Sequence, residues 1–236
     1  MAQDITAHII ARIRTDFRTK FGVPRQSGLI PEAEGEIVFE PDYRNPDALR
    51  GIEGFSHLWL IWQFSEAVRK DWSPTVRPPR LGGNTRMGVF ATRSPFRPNA
   101  IGLSSVRLLG VEQTADRGTV LRVAGADLMD GTPILDIKPY LAYTDSHPEA
   151  TGGFVQDLGE RLLTVAVSEN ARPAFDALPQ KRRETVTAVL SHDPRPTYQK
   201  DTDRVYGMDL GDLSLHFTVE NGVCTLTELT ETEETT

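Results

Sequence analysis

From Ile5 to Lys138 the sequence runs through short apolar segments of β character, with no long helical pattern between any two of them. This constrains the fold more than any single motif. Parallel strands need crossovers of about a dozen residues or more, usually helical. A doubly wound α/β sheet is therefore disfavoured, and the expected fold class is mainly β, a closed or nearly closed barrel. The strand-like segments are Ile5–Thr15, Gly35–Glu40, His57–Phe64, Met87–Thr92, Ile101–Leu109, Thr119–Ala124 and Pro133–Lys138. The third, HLWLIWQF, is the most strongly marked, because tryptophans alternating with aliphatic residues suit a buried strand. Asn45–Gly51 has Asn at the N-cap, Pro at the first helical position and a closing Gly, which fits one or two helical turns.

Pro139–Asp157 contains Pro and Gly with few aliphatics and reads as a linker. Beyond it the pattern changes. Leu162–Val167 reads as a strand, and Asn170–Leu178 and Lys181–Leu190 have helical spacing, with Val186, Val189 and Leu190 on one stripe. Val205–Leu210, Ser214–Glu220 and Val223–Leu229 predict a small antiparallel sheet with a hairpin turn at Glu220-Asn221-Gly222. The expected organisation is a barrel domain over 1–145, a small α+β domain over 160–230 and a disordered acidic tail over 231–236.

Composition bounds the partners. Lys+Arg 26 against Asp+Glu 33 gives a net charge of −7, so nucleic acid would have to be held by a local basic patch. With one cysteine, Cys224, neither an intrachain disulfide nor a cysteine-based metal site is available, which fits a reducing compartment. The five histidines show no metal-ligand spacing, and no metal is expected. The N-terminus lacks the apolar core of a signal peptide, and no window approaches a membrane span, so a cytoplasmic protein without membrane contact is expected.

Chemistry is concentrated in loops. Thr92–Asn99, inside the stretch Met87–Ser105, sets Arg93 and Arg97 among Pro95, Phe96 and Pro98. Proline stiffens such a loop, and two guanidiniums on a stiff support suit a planar or anionic group. Arg77–Gly83 (RPPRLGG) precedes it, its double glycine allowing close approach of a ligand or another backbone. Pro24-Arg25-Gln26 and the turn Asp127–Gly131 are further constellations. His192–Tyr198 repeats the Arg-Pro theme, and Arg195 with Tyr198 could grip a phosphate and stack a base; a charged connector is equally consistent with the residues alone. No G-x-G-x-x-G, P-loop, H-E-x-x-H or G-x-S-x-G occurs.

Taken in order, PRQ at Pro24–Gln26, GFSHLWLIWQF at Gly54–Phe64, RPPRLGG at Arg77–Gly83, GVFATRSPFRPNAIGLS at Gly88–Ser104, DGTPILDIKPYL at Asp130–Leu141 and DPRPTY at Asp193–Tyr198 resemble the TsaA/TrmO family of tRNA methyltransferases. The resemblance implies a β-barrel enzyme that binds S-adenosyl-L-methionine (SAM) without a Rossmann fold, carries a small C-terminal domain and forms a homodimer with SAM near the subunit interface. It implies methylation of N6 of threonylcarbamoyladenosine (t6A), the modified adenosine 3′ of the anticodon in certain threonine tRNAs, to give m6t6A. Carried over by position, the SAM contacts are Pro24, Arg25, Gln26, Phe64, Ser65, Arg93, Leu103, Asp127, Leu128, Asp130 and Gly131, and the tRNA-side residues are Arg195 and Tyr198. A non-catalytic SAM sensor and an RNA-binding barrel are the rival expectations.

N6 of t6A is a urea-type nitrogen and a poor nucleophile until its proton is accepted, so a general base is expected. Asp130, Asp193 and Tyr198 are the candidates. Arg25, Arg93 and Arg97 are the candidates for holding the carboxylate of SAM or the threonyl carboxylate of the substrate.

Overall fold

The structure is a computed structural model that describes residues 4–81, 83–158, 162–195 and 204–232. Gly82, Tyr198 and residues 233–236 of the acidic tail lie outside the described residues.

The first part of the chain forms β1 (Ala11–Thr15), β2 (Glu34–Phe39), β3 (His57–Gln63), the two-residue strands β4 (Thr75–Val76) and β5 (Met87–Gly88), β6 (Ile101–Thr114), β7 (Gly118–Ala124) and β8 (Pro133–Pro139). Six of these close into a barrel in the order β1-β2-β7-β6-β3-β8. Every pairing in it is antiparallel, and closure is made by Ala11 opposite Ile134 and Arg12 opposite Pro133. The period-two alternation of each strand decides which side chains face inward. In β3 these are Leu58, Leu60 and Trp62, which join Ile13, Ile37, Leu121 and Ile134 in the barrel core. A bulge between Leu108 and Gly110 interrupts the β6–β7 register, the kind of irregularity that bends a strand.

The second part forms α1 (Ala142–Asp145), β9 (Thr164–Val167), α2 (Arg172–Ala177), α3 (Gln180–Ser191), β10 (Tyr206–Leu210), β11 (Leu213–Glu220) and β12 (Val223–Glu231). Its sheet has the order β10-β11-β12-β9. Asn221 and Gly222, at φ 49° and 80°, make the β11–β12 turn, as a tight hairpin with two left-handed residues requires. The expected antiparallel sheet gains β9 as a parallel edge strand on β12. Val186, Val189 and Leu190 of α3 are buried against this sheet.

Four expectations are corrected. The first strand begins at Ala11, not Ile5; Ile5 is 93% exposed and has no core to face. Met87–Thr92 is strand only at Met87–Gly88 and then turns into a 3-10 helix at Val89–Ala91. Val89 is buried there, whereas Phe90 is 74% exposed, so the apolar run splits between two environments. The linker Pro139–Asp157 contains α1 and a 3-10 helix at Gly153–Leu158. Asp145 fastens its start to the barrel, accepting from Trp59 Nε1 at 2.8 Å and from the Leu141 N–H at 2.9 Å. The tail is ordered through Thr232, because β12 pairs with β11 as far as Glu231 and the Thr232 N–H reaches the Asp212 carbonyl at 2.7 Å.

Packing also cuts across the expected domain division. Phe17, Ile30 and Ala33, from the loop between β1 and β2, are buried in the core of the second part, and Phe21, Val23 and Leu29 pack against it.

Candidate functional site

A cavity of about 1420 Å³ opens at one end of the barrel. Pro24, Arg25 and Gln26 form one wall, from the β1–β2 loop. Phe64 and Ser65, just past β3, and Arg93 and Leu103, on either side of the proline loop, supply more of it. Asp127, Asp130 and Gly131, in the turn before β8, complete the lining among the expected residues. Leu128 does not line it. Its side chain is 1% exposed in the barrel core, so any contact with a ligand would have to come from its backbone.

The most enclosed carboxylate on the described wall is Asp127. Its carboxylate accepts from the Ser104 hydroxyl, which itself accepts from Trp62 Nε1 at 3.0 Å. Ser104 is 1% exposed. Burial pushes the Asp127 carboxyl above its ordinary value, opposed by the Ser104 hydrogen bond and the nearby positive charge of Arg93. Trp62 can lie where it does because its neighbour across the β3–β6 pairing is Gly102; a Cβ there would run into the indole ring. Phe64 packs on Trp62 with ring centroids 4.2 Å apart, giving the cavity an aromatic flank.

Arg93 donates through Nη1 to Gln26 Oε1, linking the proline loop to the Pro24–Gln26 wall. Arg97 donates to the Thr92 carbonyl at 3.1 Å, and the Arg97 N–H to the Pro95 carbonyl at 3.0 Å closes a tight turn around Phe96. Local hydrogen bonds thus tie this loop to itself in addition to its prolines. Asp130 is exposed, with one oxygen taken by the Thr15 N–H at 3.0 Å.

Asp193 and Arg195 do not line the cavity. They pair with each other, Arg195 Nε and Nη2 reaching the two Asp193 oxygens at 2.7 and 2.9 Å. The Asp193 backbone carbonyl accepts from Arg25 Nη2 at 3.2 Å, which brings this loop to the edge of the site. Of the three base candidates, only Asp130 is on the described wall.

Sequence reading missed several lining or supporting residues. Ser104 carries no signal beyond its place in a strand; its role arises because β6 aims it at Trp62 and Asp127. Arg12 and Lys20 also line the cavity, and an isolated cation in a strand or loop resembles any solvated one. The lining includes five cations, Arg12, Lys20, Arg25, Arg93 and Arg97, against three carboxylates, Glu66, Asp127 and Asp130. A chain of net charge −7 therefore has a locally basic cavity.

A closed antiparallel barrel whose end loops gather arginines, an aromatic flank and a partly buried carboxyl around one open cavity defines a non-Rossmann β-barrel protein with a candidate ligand site. The family models for the tRNA-methyltransferase O N-terminal domain and the TrmO C-terminal domain match residues 12–146 and 160–232, and the chain belongs to the tRNA-methyltransferase O (TrmO) family. It is 43% identical over 216 residues to the tRNA (adenine(37)-N6)-methyltransferase of Escherichia coli K12, covering 89% of this chain and 91% of that protein. It is 39% identical over 202 residues to the mouse protein of the same name, covering 85% of this chain and 45% of that longer protein. A crystal structure of TrmO from P. aeruginosa superposes with a TM-score of 0.79 at 34% identity, covering 98% of this chain and 99% of that one.

Proposed function

We propose that this protein is a SAM-dependent tRNA methyltransferase that modifies N6 of adenine 37, with t6A as its substrate and m6t6A as its product. The observation that carries the reading is the convergence of Pro24–Gln26, Arg93 and the Asp127–Gly131 turn on one cavity, in a chain matched by both family models. The tRNA (adenine(37)-N6)-methyltransferase relatives support the position and the nitrogen.

The residues present fit SAM. The aromatic flank of Trp62 and Phe64 suits a flat ring, Arg93 and Arg25 suit a carboxylate, and Asp127 suits an amino or sulfonium group. When bound, SAM supplies an activated methyl on a sulfonium. The protein's own work is placement, holding reacting atoms roughly 3–3.5 Å apart, and proton acceptance. We assign the latter to Asp130, which is exposed on the wall, whereas Asp127 is engaged by Ser104 and Asp193 by Arg195. Arg97 and Lys20 are the cations we assign to the threonyl carboxylate of t6A; that contact would make prior threonylcarbamoylation a requirement. The basic lining supports a local RNA-binding patch in an acidic protein.

Large apolar side chains stand exposed near the cavity mouth: Leu103 at 57%, Ile101 at 46% and Phe90 at 74%. They support a homodimer whose second copy covers the cavity rim. A cytoplasmic location follows from a tRNA substrate. The deciding experiment is methyl transfer from SAM to threonine tRNA with and without threonylcarbamoylation at position 37. Methyl incorporation only into the threonylcarbamoylated tRNA is expected; equal incorporation into both would remove t6A as the substrate.

A further inference from the structure

The wall that carries Pro24–Gln26 is built by the far end of the chain. Phe21 stacks on Phe217 of β11, with centroids 6.4 Å apart and planes 13° from parallel. Gly22, at φ 89°, lies against Met208 of β10 so closely that a Cβ would collide with the thioether end. On its other side the same loop is bound to the barrel. The Gly28 N–H reaches the Gly125 carbonyl at 2.8 Å, and the Gly125 N–H reaches the Ala33 carbonyl at 2.9 Å, just ahead of Asp127.

The polar contacts run the same way. Asp193 has φ 50°, a left-handed conformation uncommon in a non-glycine residue. Its carboxylate is gripped by both sides of the Arg195 fork, and the Arg195 side chain is only 14% exposed. A guanidinium filled by a carboxylate of its own loop offers little to a phosphate. What the pair does hold is the turn, and with it the direction of the Asp193 carbonyl that receives Arg25. From Arg25 the bonds continue inward. The Arg25 carbonyl accepts from the Gln26 amide, and Gln26 Oε1 accepts from Arg93, whose charge acts on Asp127.

We infer that Asp193 and Arg195 are positioning residues for the cofactor site: their pairing orients the carbonyl that holds Arg25, and through Arg25 the Gln26–Arg93 wall. The inference rests on the proposed use of this cavity for SAM. It gives the small C-terminal domain a role inside the pocket, separate from any contact with RNA.

The test is SAM binding by calorimetry, without RNA, on the full chain. The variants are Arg25→Ala, Arg195→Ala, their double mutant, and Asp193→Asn as the milder lesion should Arg195→Ala fail to fold. Loss of a charge-assisted contact predicts about tenfold weaker SAM binding for each single change. Because Arg195 acts through Arg25, the double mutant binds no more weakly than Arg25→Ala alone. A general loss of packing would instead make the effects add. Additive weakening, or wild-type SAM affinity in Arg195→Ala or Asp193→Asn, overturns the inference. Wild-type protein that fails to bind SAM overturns the reading of the cavity itself, and the inference with it.

Discussion

Ser104 gives its hydroxyl proton to Asp127 from a position that is almost fully buried, while the same oxygen receives Trp62. The three side chains come from β6, the turn after β7, and β3, and they meet because β7, β6 and β3 are consecutive neighbours in the sheet. Burial raises the Asp127 carboxyl above its ordinary value. Folding therefore favours the protonated form. The associated stability is fully present below the unfolded value, about pH 3.9, and is lost as pH rises through the folded one. Asp127→Asn is neutral at every pH and keeps an acceptor for Ser104. The melting temperature of this variant minus that of the wild type is expected to be small near about pH 4 and to grow toward about pH 7. A difference that shrinks over that range would contradict the burial argument.

Arg93 stands between Gln26 and the charge of Asp127. With Arg93→Ala, SAM binding is expected to weaken by roughly 10- to 100-fold, the scale of a lost hydrogen bond to a charged group. Arg93→Lys restores only part of this, since an ammonium cannot reproduce the planar fork. Calorimetry decides, and wild-type affinity in Arg93→Ala would take this side chain out of the cofactor site.

Gly102 lies under the Trp62 ring. Gly102→Ala is expected to destabilise by about 1–3 kcal/mol, as overpacking does, and to lower SAM affinity because Trp62 flanks the cavity. Urea unfolding checks the first effect and calorimetry the second. An unchanged midpoint would mean that the strand pair relaxes to admit the methyl.

Cys224 is fully buried in the second core, and burial pushes its thiol up to about 12. Reaction with a thiolate-selective reagent at neutral pH is expected to be slow in the native protein and fast in denaturant. Fast native labelling would show that β12 opens.

Much of the fold was legible in the chain because strand alternation and turn chemistry are local. HLWLIWQF became β3 with Leu58, Leu60 and Trp62 inward, and Glu220-Asn221-Gly222 became the β11–β12 turn. Met87–Thr92 departs from the expected strand because an apolar run looks alike whether it pairs along its length or folds back after two residues. The candidate site was legible as separate motifs, and largely through family resemblance. Ser104, Lys20 and Arg12 carried no motif at all.

The sequence by itself determined that the first part of the chain would be built from short strands without helical crossovers, and that its candidate site residues would fall largely in loops. Those properties follow from side-chain period and backbone restriction, which act over a few residues. Only the tertiary structure decided that the loop carrying Pro24–Gln26 is anchored through Phe21, Val23 and Leu29 in the second core, that Asp193 turns its carbonyl to Arg25, and that Asp127 meets the buried Ser104. Each of these joins positions far apart in the chain. Such contacts depend on which strands lie side by side in the sheet and on two cores sharing one loop, which no local pattern encodes.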